Sequence, residues 1–372
     1  MMNVEERFSL IARKPTVEIL TEERLKQALE QGIKLKHYIG FEISGYLHIG
    51  NSVLTCMKIV DFQKAGVETS IFLADWHSWI NEKLGGDRDT IRRIAKGYFT
   101  SVMKKCIEAF GGDPNKTKFV LASDIYDNDY WALVVKIAKE TTLNRTLRSI
   151  TIMGRKSKEN IPTAWLLYPM MQAADILFMD INLAHAGIDQ RKIHVIATEV
   201  GEKIKGYKPI AVHHHLITNL ALNWDIYKKI KESGNVKEAK EELSELKMSK
   251  SIPGSTFFVH DSEEKIRHVI KKAFCPQGET ELNPVWEIVE YLIFRDEETE
   301  FTIVNEKTGE EKTYHNLQEI KQDWTSGKIH PLDLKNAVAE WLIDLLAPVR
   351  KYFLEGPGKK YLEEMENIRI TR

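Results

Sequence analysis

Cysteine is scarce in this chain. There are three, Cys56, Cys106 and Cys275, in 372 residues. Their spacing fits neither a zinc site nor a redox pair, so they are expected to be buried thiols in a reducing compartment. A dominant charge sign is missing as well: 53 Lys and Arg stand against 54 Asp and Glu, for a formal net charge of −1. No global field draws polyanions, and contact with nucleic acid would need local basic patches. No apolar run approaches the roughly 20 residues of a membrane span. Glu5, Glu6 and Arg7 leave no apolar signal core at the N-terminus. Internal repeats and low-complexity tracts are also lacking. These absences lead to the expectation of a cytoplasmic protein without membrane association.

What remains is an ordinary globular composition, 43% hydrophobic and 29% charged, enough for a sizeable core. At roughly 100–200 residues per domain the length implies two domains. Residues 1–35 read as short helices. His37–Phe41 reads as an apolar strand, followed by a helical pattern over His48–Gln63 and a second strand over Thr69–Ala74. Helix over Thr90–Phe110, strand over Lys118–Ala122, helix from Leu166 to Met179, and strands at Asn182–Ala186 and Ile210–Ile217 continue the alternation. That rhythm predicts a parallel sheet covered by helices on both faces. Beyond about residue 262 the pattern is helical, apart from a hairpin expected within Glu300–Tyr314.

Two segments carry the chemistry. His48-Ile49-Gly50-Asn51 follows a strand and opens a helix. A helix N-terminus offers N–H groups and partial positive charge to a polyphosphate, and glycine there and at Gly40 and Gly45 lets a ligand approach the backbone. The same four residues also suit a plain polar helix start with a packing glycine. Lys247-Met248-Ser249-Lys250-Ser251, closed by Pro253-Gly254, lies about 200 residues later. Its two lysines could be a solvated basic loop, or could close over a triphosphate and neutralise a leaving pyrophosphate. In this order the segments resemble the HIGH and KMSKS signatures of the class I aminoacyl-tRNA synthetases. The second match is full; the first departs at Asn51, where histidine is usual, though an amide still donates to a nucleotide. The resemblance implies His48, Asn51, Lys247 and Lys250 as catalytic residues. It implies Gly40, His48, Gly50, Asn51, Asp189 and the loop residues Lys247, Met248, Ser249, Lys250 and Ser251 as ATP contacts, with Mg²⁺ accompanying ATP.

The amino acid is indicated by Tyr168-Pro169, read as the start of a helix. Gln172 and Asp175 follow at spacings of four and seven, so the three polar side chains share one face among Met and Ala. A buried Asp needs a partner; Asp175 therefore either meets a core Arg or Tyr, or faces a ligand. The stretch resembles the Tyr-Pro-x-x-Gln-x-x-Asp pattern of the archaeal and eukaryotic tyrosyl-tRNA synthetases. That resemblance implies that Tyr168 and Gln172 hold the substrate's amino group, that Tyr38 and Asp175 hold its phenol, and that Gln190 faces the amino acid. It implies that Asp189 faces the ribose and that Phe72, Ala74 and His77 line the pocket. A tryptophan enzyme of the same class stays open as the alternative. A small-molecule nucleotidylyltransferase and a silent tRNA-binding paralogue are more distant ones.

The resemblance further implies a Rossmann-type catalytic domain over 1–262, with a helical connective insertion at about 124–165 and the lysine loop at 247–254. A helical anticodon-binding domain over 263–372 would follow. Arg145 and Arg148 at helical spacing are implied to meet the tRNA acceptor end, and His330 and Asp333 the anticodon; a solvated helix face and a helix cap are the plainer readings. Partners implied are tyrosine, ATP, tRNA(Tyr) and a second copy of the chain in a homodimer. His213-His214-His215 is not read as a metal site, because a strand puts at most two of them on one face. The charged stretch 223–245 is given no function.

Overall fold

The computed structural model describes residues 2–153, 161–234, 246, 248, 252–296 and 299–368. Six strands form one sheet: β1 (Thr16–Leu20), β2 (His37–Phe41), β3 (Thr69–Leu73), β4 (Thr117–Leu121), β5 (Leu183–Gly187) and β6 (Ile210–His214). Their order is β1-β6-β5-β2-β3-β4. All neighbours run parallel except β1, which pairs antiparallel with β6 at the edge. β3, β5 and β6 are buried at every position and β2 from His37 to Ile39, which is why they read as short, mostly apolar runs. β1 was not expected among the short helices of the N-terminus. Its five residues are only partly buried, so an edge position leaves no apolar run to mark it.

The chain goes from β2 outward to β3 and β4, then returns across the sheet to β5 on the other side of β2. Strand order therefore reverses between β2 and β5, and ligands of open α/β sheets bind at the carboxyl ends of strands flanking such a point. One face is covered by the helices Asn128–Lys139, Thr163–Phe178 and Arg191–Lys205, which share a core with Tyr38 and Phe72. The other is covered by Ile49–Lys64 and Thr100–Ala109. The helix Thr163–Phe178 begins five residues before the expected start, so Pro169 lies inside it and not at its first position. The turn before it, Ala164–Leu167, is exposed or only partly buried, whereas Pro169 is itself buried between Tyr168 and Met170, so the proline sits in the packed part of the helix and gives up one amide donor there.

Beyond residue 262 come the helices Glu263–Lys272, Pro284–Tyr291, Leu317–Thr325, Pro331–Leu354 and Lys359–Glu366, with a hairpin of β7 (Phe301–Val304) and β8 (Glu311–Tyr314). Trp286 and Trp324 stack at its centre, 6.0 Å apart. The apolar core is continuous from Val53 and Met103 to Val338 and Phe353, so the change of architecture near residue 262 is not a gap in packing. A buried charge cluster joins the two parts. Lys58 Nζ donates to the carbonyls of Leu10, Ile11 and Arg13 at 2.9–3.0 Å and lies 3.2 Å from Asp61. Asp61 in turn accepts from Arg295 of the C-terminal part.

Removing Lys58 takes a donor from three carbonyls and leaves Asp61 to Arg295 and Arg13. Lys58→Met is expected to lower stability by about 3–5 kcal/mol, read as a drop in the denaturant midpoint; an unchanged midpoint would mean that the Lys58 contacts contribute nothing net.

Candidate active site

A cavity of about 280 Å³ opens at the strand reversal. Its wall takes Tyr38 to Phe41 from β2, His185 to Gly187 from β5, Gly50, Asn51 and Thr55 from the helix behind β2, and Tyr168, Gln172 and Asp175 from the helix Thr163–Phe178. Ala74, His77, Asp189 and Gln190 complete the polar and narrow parts. Phe72 does not line it. It is fully buried behind Tyr38, with ring centroids 5.5 Å apart, because β3 alternates sides and position 72 points to the layer under the pocket.

Asp175 is wholly buried. Its Oδ1 accepts from the hydroxyls of Tyr126 at 2.6 Å and Tyr130 at 2.9 Å. Its Oδ2 has no hydrogen-bond partner and sits 3.7 Å from His77 Nε2. Burial holds His77 down at about 3, so the ring is neutral and forms no ion pair. Core tyrosines thus take one oxygen of Asp175, as the plainer of the two expectations has it, and the other oxygen has no hydrogen-bond partner. An unmatched buried acceptor costs about 1–3 kcal/mol, which a ligand hydroxyl would recover. Burial pushes the Asp175 carboxyl up to about 8, against the hydroxyls of Tyr126, Tyr130 and Tyr38, which pull it down.

At the other end of the same helix face, Tyr168 donates to Glu42 Oε1 at 2.8 Å. Gln172 donates to Gln190 at 3.2 Å, and Gln190 donates to Asp189 at 3.1 Å. This is a carboxylate and amide cluster suited to an ammonium group. Glu42, Tyr126 and Tyr130 were not singled out in the sequence. Asp175 signalled the need for a partner, but the partners lie 49 and 45 residues away and periodicity carries no such address.

His48 caps the helix Ile49–Lys64. Its Nδ1 accepts from the Gly50 amide at 3.1 Å, and the Asn51 side chain accepts from the His48 amide at 2.9 Å. This reciprocal capping box gives Asn51 a structural task at the position where the family's histidine is usual. With Nδ1 accepting, a neutral His48 carries its proton on Nε2. The segment after the lysine loop pairs with this turn through His48 and Phe258, and Met248 packs over Gly50, where a Cβ would lie 3.0 Å from its sulfur. Two motifs 200 residues apart in the chain thus meet. Lys247, Ser249, Lys250 and Ser251 lie outside the described residues.

The remaining expected residues lie apart from this cavity. Arg145, bonded to Glu199, and Arg148 are on the surface helix Leu143–Ser149. His330 is itself the cap of the helix Pro331–Leu354, accepting from Leu332 at 3.2 Å. Asp333 is no cap; it reaches the hairpin turn, where its Oδ1 accepts from the Glu306 amide at 3.3 Å. The histidine triplet is built into the sheet: His213 bonds His194 and Glu18, His214 bonds His185, and His215 stacks on Tyr291. Of 223–245, residues Trp224–Ser233 form a helix ended by Gly234, and 235–245 lie outside the described residues.

Residues 30–347 match the family model of tRNA synthetases class I (W and Y), and the chain belongs to that family. It is 53% identical to the tyrosine–tRNA ligase of Pyrococcus furiosus, with both chains covered completely. The crystal structure of tyrosyl-tRNA synthetase from Pyrococcus horikoshii, complexed with L-tyrosine, superposes with a TM-score of 0.91 at 52% identity, over 98% of this chain and 100% of that one. The tryptophanyl-tRNA synthetase of Aeropyrum pernix shares the fold at a TM-score of 0.65 and 17% identity, over 100% of this chain and 90% of that one. Within the family the chain therefore groups with the tyrosine–tRNA ligases.

The raised Asp175 has a stability consequence. Its folded value of about 8 exceeds the ordinary 3.8, so the folded state holds the extra proton between them and stability falls as pH rises from about 4 to about 8. Asp175→Asn is expected to flatten that decline in a thermal-unfolding series across this range. A slope identical to wild type would show that Asp175 ionises normally when buried.

Proposed function

We propose that this tyrosine–tRNA ligase binds its amino acid in the cavity with the phenol against Tyr38 and Asp175 and the ammonium among Tyr168, Gln172, Gln190 and Glu42. The observation that carries the reading is Asp175 Oδ2, a buried carboxyl oxygen without a partner beside Tyr38. A phenol both donates and accepts, so it can satisfy Asp175 and meet the Tyr38 hydroxyl at once, whereas an indole only donates. Phenylalanine would leave the acceptor stranded, which makes a separate editing site unnecessary.

The reaction has two steps. The tyrosine carboxylate attacks the α-phosphorus of ATP and pyrophosphate leaves. A ribose hydroxyl at the tRNA 3′ end then attacks the tyrosyl carbonyl and AMP leaves. In our reading the triphosphate lies at the turn His48-Ile49-Gly50-Asn51, where His48 Nε2–H donates to phosphate and the helix N-terminus adds partial positive charge. Lys247 and Lys250 neutralise the departing pyrophosphate, and Asp189 accepts from the ATP ribose. Mg²⁺ enters with ATP; a small hard cation takes triphosphate oxygens and keeps several waters. Arg145 and Arg148 are proposed to meet the acceptor stem, and His330 and Asp333 the anticodon. The catalytic work is thereby assigned to residues 1–262 and anticodon contact to 263–372, in a cytoplasmic homodimer.

ATP–pyrophosphate exchange tested with each amino acid is expected to respond to tyrosine. Asp175→Ala is expected to reduce the preference for tyrosine over phenylalanine by about a hundredfold or more, measured as the ratio of kcat/KM in exchange. A variant that discriminates as the wild type does would refute the phenol assignment.

A further inference from the structure

A row of histidines crosses the sheet beside the cavity, and the two chemical steps leave it unused. His37 on β2, His185 on β5 and His214 on β6 are all buried and occupy three strands adjacent in the sheet order. His37 Nε2 lies 3.1 Å from His185 Nδ1, and His185 Nε2 lies 2.8 Å from His214 Nδ1. Each contact needs one N–H and one lone pair, and a neutral imidazole has one of each. Burial keeps the rings neutral: His37 and His214 are both pushed down to about 3, the latter against the charge of Asp189, and His185 falls well below its ordinary value.

Three neutral rings in a row allow only two proton patterns, every N–H pointing one way along the row or every one the other. The Ser70 amide on β3 selects between them. It donates to His37 Nδ1 at 3.4 Å, and an amide N–H cannot accept, so His37 Nδ1 must carry the lone pair. The His37 proton is then on Nε2 and is donated to His185 Nδ1. By the same step His185 carries its proton on Nε2 and donates to His214 Nδ1, which leaves the His214 proton on Nε2. A backbone amide on β3 thus sets the proton on a ring three strands away.

His214 Nε2 faces the turn at Gly187. A Cβ built there would lie 2.7 Å from Asp189 Oδ1, 2.8 Å from Leu216 Cδ2 and 3.6 Å from His214 Nε2, so the missing side chain leaves the imidazole and the carboxylate bordering a common space, flanked by Leu216, on the cavity wall. We propose that the Ser70–His37–His185–His214 relay presents a fixed N–H to Asp189 and orients its carboxylate toward the ATP ribose. His214 is a positioning residue for nucleotide binding, and the proposal rests on the reading of Asp189 as the ribose acceptor.

Two-bond nitrogen–proton spectra of the ligand-free, histidine-labelled protein read the tautomers directly. His37, His185 and His214 are each expected to carry the proton on Nε2 across neutral pH; a proton on His214 Nδ1 overturns the relay. In ATP–pyrophosphate exchange, His214→Phe is expected to raise KM for ATP about tenfold, the worth of a hydrogen bond to a charged group, while KM for tyrosine changes less than about twofold. His214→Gln, whose amide nitrogen replaces Nε2, is expected to recover most of that loss, which a purely structural role would not predict. Asp189→Asn separates the two layers. If it raises KM for ATP and His214→Phe does not, the positioning role is refuted and the ribose reading stands. If Asp189→Asn leaves KM for ATP unchanged, the ribose reading fails and takes the positioning role with it. Should the phenylalanine variant not fold, the wild-type spectra still decide the relay.

Discussion

A carboxylate that is only half satisfied governs the layout of this molecule. Asp175 is held from one side by the hydroxyls of Tyr126 and Tyr130, and its other oxygen is kept from water by the surrounding core. Leaving a buried acceptor open is tolerable only where the rest of the structure is firm enough to prevent collapse onto it. The firmness comes from the parallel sheet, whose reversal between β2 and β5 opens a crevice that no strand can fill. Tyr38, placed on β2 and backed by Phe72, closes the bottom of that crevice.

The opposite end of the crevice is assembled from distant stretches of chain. The cap at His48 is internally satisfied through Gly50 and Asn51, so the helix start keeps its shape without a ligand. Met248 resting on Gly50 and the pairing of His48 with Phe258 bring the lysine-loop segment to the same edge. In the proposed reading, amino-acid chemistry and phosphate chemistry are built on different parts, side chains of one helix face for the first and backbone of a helix entry for the second. That division suits a family that exchanges tyrosine for tryptophan pockets on a shared fold.

Much of this was legible in the sequence where local pattern decides. The interior strands are short and mostly apolar, and the polar stripe Tyr168, Gln172 and Asp175 follows from helical spacing alone. What was hidden depends on contacts far apart in the chain. Strand β1 is a half-buried edge with no apolar run. Pro169 reads as a helix start because local propensity favours it there, but the helix begins at Thr163 and buries the proline in its interior. Phe72 stands one layer behind the pocket because strand alternation, not residue type, sets its side. Tyr126, Tyr130, Glu42 and the histidine row are partners chosen by the fold, and nothing in their neighbours marks them.

The cluster of Lys58, Asp61 and Arg295 has a mechanical consequence. Asp61 lies on the helix whose first turn borders the cavity, and Arg295 belongs to the C-terminal helical part. Pivoting one part against the other would pull opposite charges apart inside a low-dielectric seam, which is far costlier than sliding apolar surfaces. The cluster thus opposes a hinge at this seam, and a long ligand touching both parts would find it easier to bend itself than to bend the protein there.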